Sequence, residues 1–338
     1  MSQKKIFIKD IKEKDHVASP FLVARKDPGI SKAGKPYLAL KLKDSTGEIE
    51  ARVWDDVDAL GGRFKKNDIV SVKGYAVSYQ GGLQMNVSSI DVVPEGQYSI
   101  TDMLPSSGKD NEAMAKRLDE IIEGIKDAHI QGLLKSIFED RDVRSRFLIA
   151  PAAKGMHHPY LGGLLEHVLS ICGLAELVAG HYGGAVNKDL LVAGAILHDI
   201  GKIYELSYEK AFDYTDEGRL LGHITIGIEL VDRNIRRISG FPRGLEVLIK
   251  HMLLSHHGHL EFGSPKRPKT MEAIILYYLD DLDAKVSSVK ALVEEESAES
   301  WTPYQKLFER FIYRGQMAKD KKEASEGAVG EPSLRLFK

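Results

Sequence analysis

The chain has 338 residues, which at the usual domain size of roughly 100–200 residues predicts two domains, and its 43% hydrophobic and 28% charged residues exclude a wholly disordered or fibrous chain. The net charge is −2, from 47 Lys and Arg against 49 Asp and Glu, so no global basic field advertises a nucleic-acid partner. A single cysteine, Cys172, excludes an intramolecular disulfide framework, no apolar run reaches about 18 residues, and the lysine-rich start lacks a signal-peptide core; the expectation is a soluble, cytoplasmic protein with no membrane partner.

Residues 1–95 read as β structure. Partly alternating apolar stretches at 17–23, 37–42, 49–54 and 69–72 are separated by turn residues: Asp27-Pro28-Gly29, Ser45-Thr46-Gly47, Lys66-Asn67-Asp68 and Gln80-Gly81-Gly82. About five strands in under 100 residues predict a small all-β barrel of OB-fold size. This segment carries 16 Lys and Arg against 13 Asp and Glu, net +3, which leaves 31 against 36, net −5, for the remainder.

Residues 96–112 read as a linker and 113–318 as a helical domain. Apolar periodicity predicts helices at 114–125 and 161–178, and the stretch 189–200, apolar nearly all round, predicts a central buried helix. Thr270 is placed to cap a long helix over 271–296. No strand pattern interrupts the series, so this domain is predicted all-α. The apolar positions 307–312 read as a helix face available for packing on the domain or for homo-oligomer formation. The charged, small-residue-rich end, 319–338, reads as a flexible tail.

Ten of the 12 histidines lie between His157 and His259, where an even spread would put about four, and that clustering calls for a chemical reason. The buried helix at 189–200 delivers His198 and Asp199 together near its end, followed by Gly201, a residue able to stop a helix. A buried carboxylate is costly unless paired or bound to a cation. An adjacent His and Asp supply one nitrogen donor and a carboxylate able to bridge two metals. The dipeptide alone is more often a hydrogen-bonded structural pair. Its weight comes from company: His167 within the apolar part of a helix, His223 after Gly222 at a helix start, His256 and His257 at a helix end, and Asp280 inside an apolar run.

In this order, the chain resembles the HD superfamily of metal-dependent phosphohydrolases. The closer resemblance is to the YhaM-like 3′–5′ exoribonucleases, which join an OB-type nucleic-acid-binding domain to an HD domain. The phrases that carry it are His157-His158-Pro159-Tyr160-Leu161-Gly162-Gly163-Leu164-Leu165-Glu166-His167, Leu197-His198-Asp199-Ile200-Gly201-Lys202, Leu220-Leu221-Gly222-His223-Ile224, Ser255-His256-His257-Gly258 and Asp280-Asp281-Leu282-Asp283-Ala284-Lys285. The resemblance implies a first metal held by His167, His198, Asp199 and Asp280, with Asp199 bridging to a second held by His223, His256 and His257. Which of the paired histidines His256 and His257 ligates is left open, the other serving behind the ligands or as an acid, with His257 the catalytic candidate. Lys202 suits a phosphate oxygen, and His157 and His158 precede the first ligand helix, where they would line the substrate path. Two divalent cations activate water for in-line attack on a phosphodiester. Mixed His and carboxylate ligation suits Mn²⁺, Fe²⁺, Co²⁺ or Zn²⁺ better than Mg²⁺, with Mn²⁺ favoured by the resemblance.

Single strands are bound by a moderately positive groove with aromatic platforms. In the barrel the candidates are Phe21, Tyr37, Trp54, Phe64, Tyr75 and Tyr79, about half of which a small core must claim. Tyr37, Trp54 and Tyr79 are the preferred base contacts, with Lys35, Lys41, Arg52 and Lys73 for phosphates. The expected function is a 3′–5′ exoribonuclease acting on single-stranded RNA, with single-stranded DNA as a further candidate, and releasing nucleoside 5′-monophosphates. Two alternatives stand beside it: an HD phosphodiesterase or phosphatase of small or cyclic nucleotides, and a non-catalytic single-strand binder.

Overall fold

In the computed structural model, which describes residues 6–155, 157–294 and 299–315, the N-terminal segment closes on itself as a five-stranded barrel. Its strands are β1 (His16–Ile30), β2 (Pro36–Asp44), β3 (Gly47–Val53), β4 (Ile69–Tyr79) and β5 (Gly82–Val92), and a short helix, α1 (Val57–Gly61), joins β3 to β4. Period-two burial does the closing: Leu38, Leu40 and Leu42 of β2 and Ile49, Ala51 and Val53 of β3 point inward between solvated neighbours. The strand order is β1-β2-β3-β5-β4, with β3 and β5 parallel and the other pairs antiparallel. This is an OB-fold barrel.

Asp27-Pro28-Gly29, read above as a turn, instead continues β1: Pro28 pairs with Leu38 and Gly29 with Tyr37. β4 pairs only with the stretch from His16 to Leu22, so beyond it β1 has an open edge where a proline lacking its N–H costs nothing. A Cβ at Gly29 would lie 2.5 Å from the far end of the Tyr37 ring, so a larger residue there would displace that ring.

The stretch read as a linker is anchored. It forms α2 (Ile100–Met103), and Met103 and Leu104 join one apolar cluster with Leu22, Ile69 and Val93 of the barrel and with the helices that follow. Those are α3 (Asn111–Glu123), α4 (Ala128–Phe138), α5 (Arg141–Ile149), α6 (Gly163–Tyr182) and α7 (Lys188–Leu197). Asp110, Asp127 and Asp140 cap α3, α4 and α5 by accepting from two backbone N–H groups each. By length and composition α6 is apolar enough to cross a membrane, yet Leu164, Leu165, Val168, Ile171 and Cys172 are buried in the domain core. α7 is the central helix, with every residue from Leu190 to Leu197 buried.

Next come α8 (Lys202–Glu205), a two-stranded ribbon of β6 (Leu206–Ser207) and β7 (Asp213–Tyr214), α9 (Asp216–Ile235), α10 (Arg243–Ser255) and α11 (Met271–Glu294). Among the described residues between α2 and α11, this ribbon and an isolated bridge between Ser106 and Leu161 are the β interactions in an otherwise helical series. Thr270 caps α11 through its hydroxyl, which accepts from Ala273 N at 3.1 Å.

The chain divides into two compact units, Met1–Asp280 and Asp281–Lys338. In the second, 301–314 is not helical as expected: Trp301 bridges Tyr313 and Gln305 bridges Arg310, with Glu309 at φ 52° turning the chain between them. Apolar residues at helical spacing here flank a hairpin-like turn that follows Pro303. The expected tail, 319–338, lies outside the described residues.

Candidate metal centre

Six segments of the first unit bring their polar side chains to one buried point. α6 supplies His167 one turn from its start; the end of α7 supplies His198 and Asp199; α8 supplies Lys202; the end of α10 supplies His256 and His257; α11 supplies Asp280. His223 comes from the middle of α9, where Gly222 (φ 73°, ψ 156°) breaks the helix, as the sequence reading of a helix start there anticipated.

Asp199 is the hub. Its Oδ2 lies 3.3 Å from His198 Nε2 and 3.8 Å from His167 Nε2, while its Oδ1 lies 3.5 Å from His223 Nε2 and 3.7 Å from His256 Nε2. Asp280 Oδ1 is 3.2 Å from His167 Nε2 and 3.7 Å from His198 Nε2. The carboxylate thus faces two groups of histidines, one through each oxygen. Asp199, His223, His256 and His257 bring one ligand atom each within 4.8 Å of one another, and so do His167, His198 and Asp199.

The tautomers are dictated by the neighbours. Backbone carbonyls only accept, so Nδ1 must donate in His198 (to Ala195 O, 2.9 Å), His256 (to Leu253 O, 2.8 Å) and His257 (to Phe262 O, 2.9 Å). In the neutral ring this leaves Nε2 as the lone-pair nitrogen. The Nε2 atoms of His198, His223 and His256 and the Oδ1 atom of Asp199 are buried and make no hydrogen bond. Buried polar atoms are costly when unsatisfied. Two of these lone-pair nitrogens, on His223 and His256, face the unsatisfied Asp199 oxygen, and the three repel one another unless a cation sits among them. The residues fit a divalent metal.

The electrostatics agree. Burial would raise the Asp199 carboxyl, but the Lys202 ammonium and the surrounding histidines outweigh it and hold the group well below the usual carboxylate range. Burial opposes ionisation of Asp280 as well, and the hydrogen bond from His167 prevails. Burial holds His256 well below the ordinary histidine value and lowers His257. Asp199 and Asp280 are thus held as carboxylates, and His256 and His257 as neutral imidazoles, the forms that bind metal.

Lys202, expected at a phosphate, donates from Nζ to Asp199 Oδ2 at 2.6 Å. His157 and His158 flank His167, with ring centroids 5.8 and 5.7 Å away. Burial, then Lys202 and His167, push His157 down to about 4. The tight turn that carries this loop into α6 depends on Gly163, where a Cβ would lie 2.2 Å from His158 O. His158 Nδ1 meets Tyr160 Oη at 2.6 Å, and that hydroxyl donates to Glu166, which also accepts from Ser107 and pairs with Lys109. A residue the sequence reading missed is Glu205, whose carboxylate accepts from both the backbone N and the Nδ1 of His223.

In the barrel, Phe21 and Phe64 are core. Tyr37 and the exposed Trp54 lie together, ring centroids 5.0 Å apart, with Arg52 5.7 Å from the Tyr37 ring and Trp54 Nε1 donating to Asn86. Tyr75 pairs with Asn86, which pairs with Arg52, so these three share one row across the sheet. Tyr79 is exposed at the tip of the β4 to β5 hairpin. Lys41 is paired with Glu48, and Arg25 and Arg52 with Glu50. A cavity of about 870 Å³, walled by Tyr98, Arg146, Tyr204 and Tyr208, contains none of the metal-centre residues.

Comparison with known proteins adds two family matches and one long relative. The HD domain family matches residues 164–285, and an OB-fold nucleic acid binding domain family matches 22–93. The 3′–5′ exoribonuclease YhaM of Geobacillus sp. (strain WCH70) is 37% identical over 268 residues, which are 79% of this chain and 82% of that protein. Among solved structures, the second OB-fold domain of replication protein A from Methanococcus maripaludis aligns with 28% of this chain and 97% of its own, at 25% identity and a TM-score of 0.23. The mitochondrial single-stranded DNA binding protein Rim1 of S. cerevisiae aligns with 25% of this chain and 99% of its own, at 15% identity and a TM-score of 0.22.

Proposed function

The chain belongs to the family of the 3′–5′ exoribonuclease YhaM, and on that premise we propose that it is a metal-dependent exonuclease that shortens single-stranded RNA from its 3′ end, releasing nucleoside 5′-monophosphates, with single-stranded DNA as a second substrate. The observation that carries the reading is the buried Asp199, each of whose oxygens faces its own group of histidines. His167, His198, Asp199 and Asp280 would hold one cation, and Asp199, His223, His256 and His257 a second; mixed nitrogen and carboxylate donors favour Mn²⁺. Such cations supply charge neutralisation of the phosphodiester and a lowered pKa for water.

The chain's own residues do the rest. Carbonyl and carboxylate partners on Nδ1 fix the imidazole rings, so the site is preorganised before substrate arrives. Water adds to phosphorus in line as the bond to the 3′-oxygen of the preceding nucleotide breaks, and that oxygen takes up a proton. Lys202, held at Asp199, keeps a buried positive charge beside the site, where negative charge develops on the phosphoryl oxygens and the leaving 3′-oxygen. Tyr37, Trp54, Tyr75 and Arg52 on the barrel support a base-stacking surface for the strand. Cys172 is a core group whose thiol burial pushes up to about 12, and a chain with this single cysteine suits the reducing cytoplasm.

The test is a 5′-labelled single-stranded RNA incubated with the protein and Mn²⁺. A receding ladder is expected, with rate lost by more than about a hundredfold in Asp199→Ala, because removal of a ligand exceeds the 10–100-fold typical of its outer partners. Intact polymer alongside hydrolysis of mononucleotides or cyclic dinucleotides would overturn the reading.

A further inference from the structure

Four histidines of the metal centre have an identified partner on Nδ1, and three of those partners are backbone carbonyls. His223 differs. Its Nδ1 donates to Oε1 of Glu205 at 3.1 Å, and its backbone N donates to the same oxygen at 3.0 Å. The second bond exists because of the break at Gly222: in an unbroken helix that N–H would belong to the carbonyl four residues earlier. Glu205 is itself fixed. Its carbonyl accepts from Thr215 N at 2.9 Å, and Gly218 allows the start of α9 to pack against it, since a Cβ there would lie 2.2 Å from Glu205 O. On the other flank, Gly201 leaves room for the His223 carbonyl, which would stand 2.0 Å from a Cβ at that position. The short segment from Gly201 to Glu205 therefore packs against the His223 carbonyl and holds its amide and its ring.

We propose that Glu205 is the positioning residue of the second metal position, orienting His223 Nε2 toward Asp199 Oδ1 and making that ring a stronger donor than its carbonyl-backed neighbours; this rests on the metal-centre reading given above. A carboxylate behind a ligand histidine fixes the tautomer and raises its basicity, and loss of such a partner typically costs roughly 10–100-fold in metal affinity. Glu205 bonds directly to His223 and reaches the first position only through the charge of Lys202, so its effect falls mainly on one of the two positions.

Calorimetric titration of the full chain with Mn²⁺ separates the possibilities. The wild-type chain takes up two equivalents. Glu205→Ala keeps one at wild-type affinity and weakens the other by roughly 10–100-fold, while Glu205→Gln, which retains an acceptor for one His223 donor, recovers part of the loss. Two equivalents at unchanged affinity in Glu205→Ala, or equal weakening of both, overturns the assignment and leaves the metal centre standing. A wild-type chain that takes up no Mn²⁺, or an Asp199→Ala variant that binds it normally, overturns the metal-centre reading itself.

Discussion

The Lys202 ammonium stands 2.6 Å from Oδ2 of Asp199, the same carboxylate oxygen that His198 Nε2 approaches at 3.3 Å. Both partners are buried; burial would lower the lysine pKa, but Asp199 and Asp280 reverse that and raise it. Removing one member of a buried pair leaves an uncompensated charge and costs about 3 kcal/mol. Lys202→Met is therefore expected to lower the unfolding temperature in chelator, by on the order of 10 °C for a domain of this size. Saturating Mn²⁺ supplies the missing charge and should recover most of the loss. An equal drop with and without Mn²⁺, followed by calorimetry, would show that the lysine acts through packing alone.

Acid should destabilise the chain earlier than its carboxylates alone would predict. Burial holds His256 and His257 below the ordinary histidine value, and His157 is pushed down to about 4. Below about pH 6.5 the unfolded chain takes up protons that these folded groups refuse, so stability falls as pH falls. The fully buried His256 alone contributes a slope of up to about 1.4 kcal/mol per pH unit. Urea midpoints in chelator should be flat from pH 7.5 to 6.5 and decline steadily toward pH 5. A midpoint constant down to pH 5 would mean that these imidazoles ionise freely in the folded state.

Much of this was legible in the sequence because it is local. Period-two alternation in β2 and β3, the buried run of α7 and the hydroxyl cap at Thr270 are each set by near neighbours, and the structure follows them. The site's His and Asp residues stand out because charge in an apolar helix needs a partner. What was not legible depends on contacts between distant segments. Pro28 reads as a turn until β4 is seen to stop short of it. The positions 307–312 carry helical spacing, yet pair across a turn. Nothing local marks Glu205 as the partner of His223, since the two meet only through the break at Gly222.

Gly201 illustrates the same point and carries its own prediction. Its sequence position suggests a left-handed helix stop, but its φ is −65°, a conformation open to any residue. The requirement is space: a Cβ would meet His223 O at 2.0 Å and Gly227 N at 2.7 Å, both backbone atoms that cannot swing aside. Gly201→Ala should therefore cost about 3 kcal/mol, the upper range for overpacking a core. It should also weaken one Mn²⁺ equivalent more than the other, because the displaced residue is His223. Wild-type stability together with wild-type titration would show that α8 and α9 separate without consequence.

On the barrel, Trp54 is the aromatic whose removal should be felt most by substrate. Its ring lies beside Tyr37 and its indole N–H is held by Asn86 Oδ1 at 3.1 Å, so the exposed face is offered in one orientation. Stacking of a base on such a ring is worth about 1–3 kcal/mol. Trp54→Ala is thus expected to raise KM for a long single-stranded RNA by on the order of 10–100-fold. The kcat for a dinucleotide should stay unchanged, because stacking on the barrel adds binding and leaves the chemical step alone. The salt dependence of binding should be shallow, because Lys41, Arg25 and Arg52 are already engaged by Glu48 and Glu50 and release few counterions. If Trp54→Ala instead lowers kcat on both substrates alike, the barrel acts on the catalytic domain's structure and not on the strand.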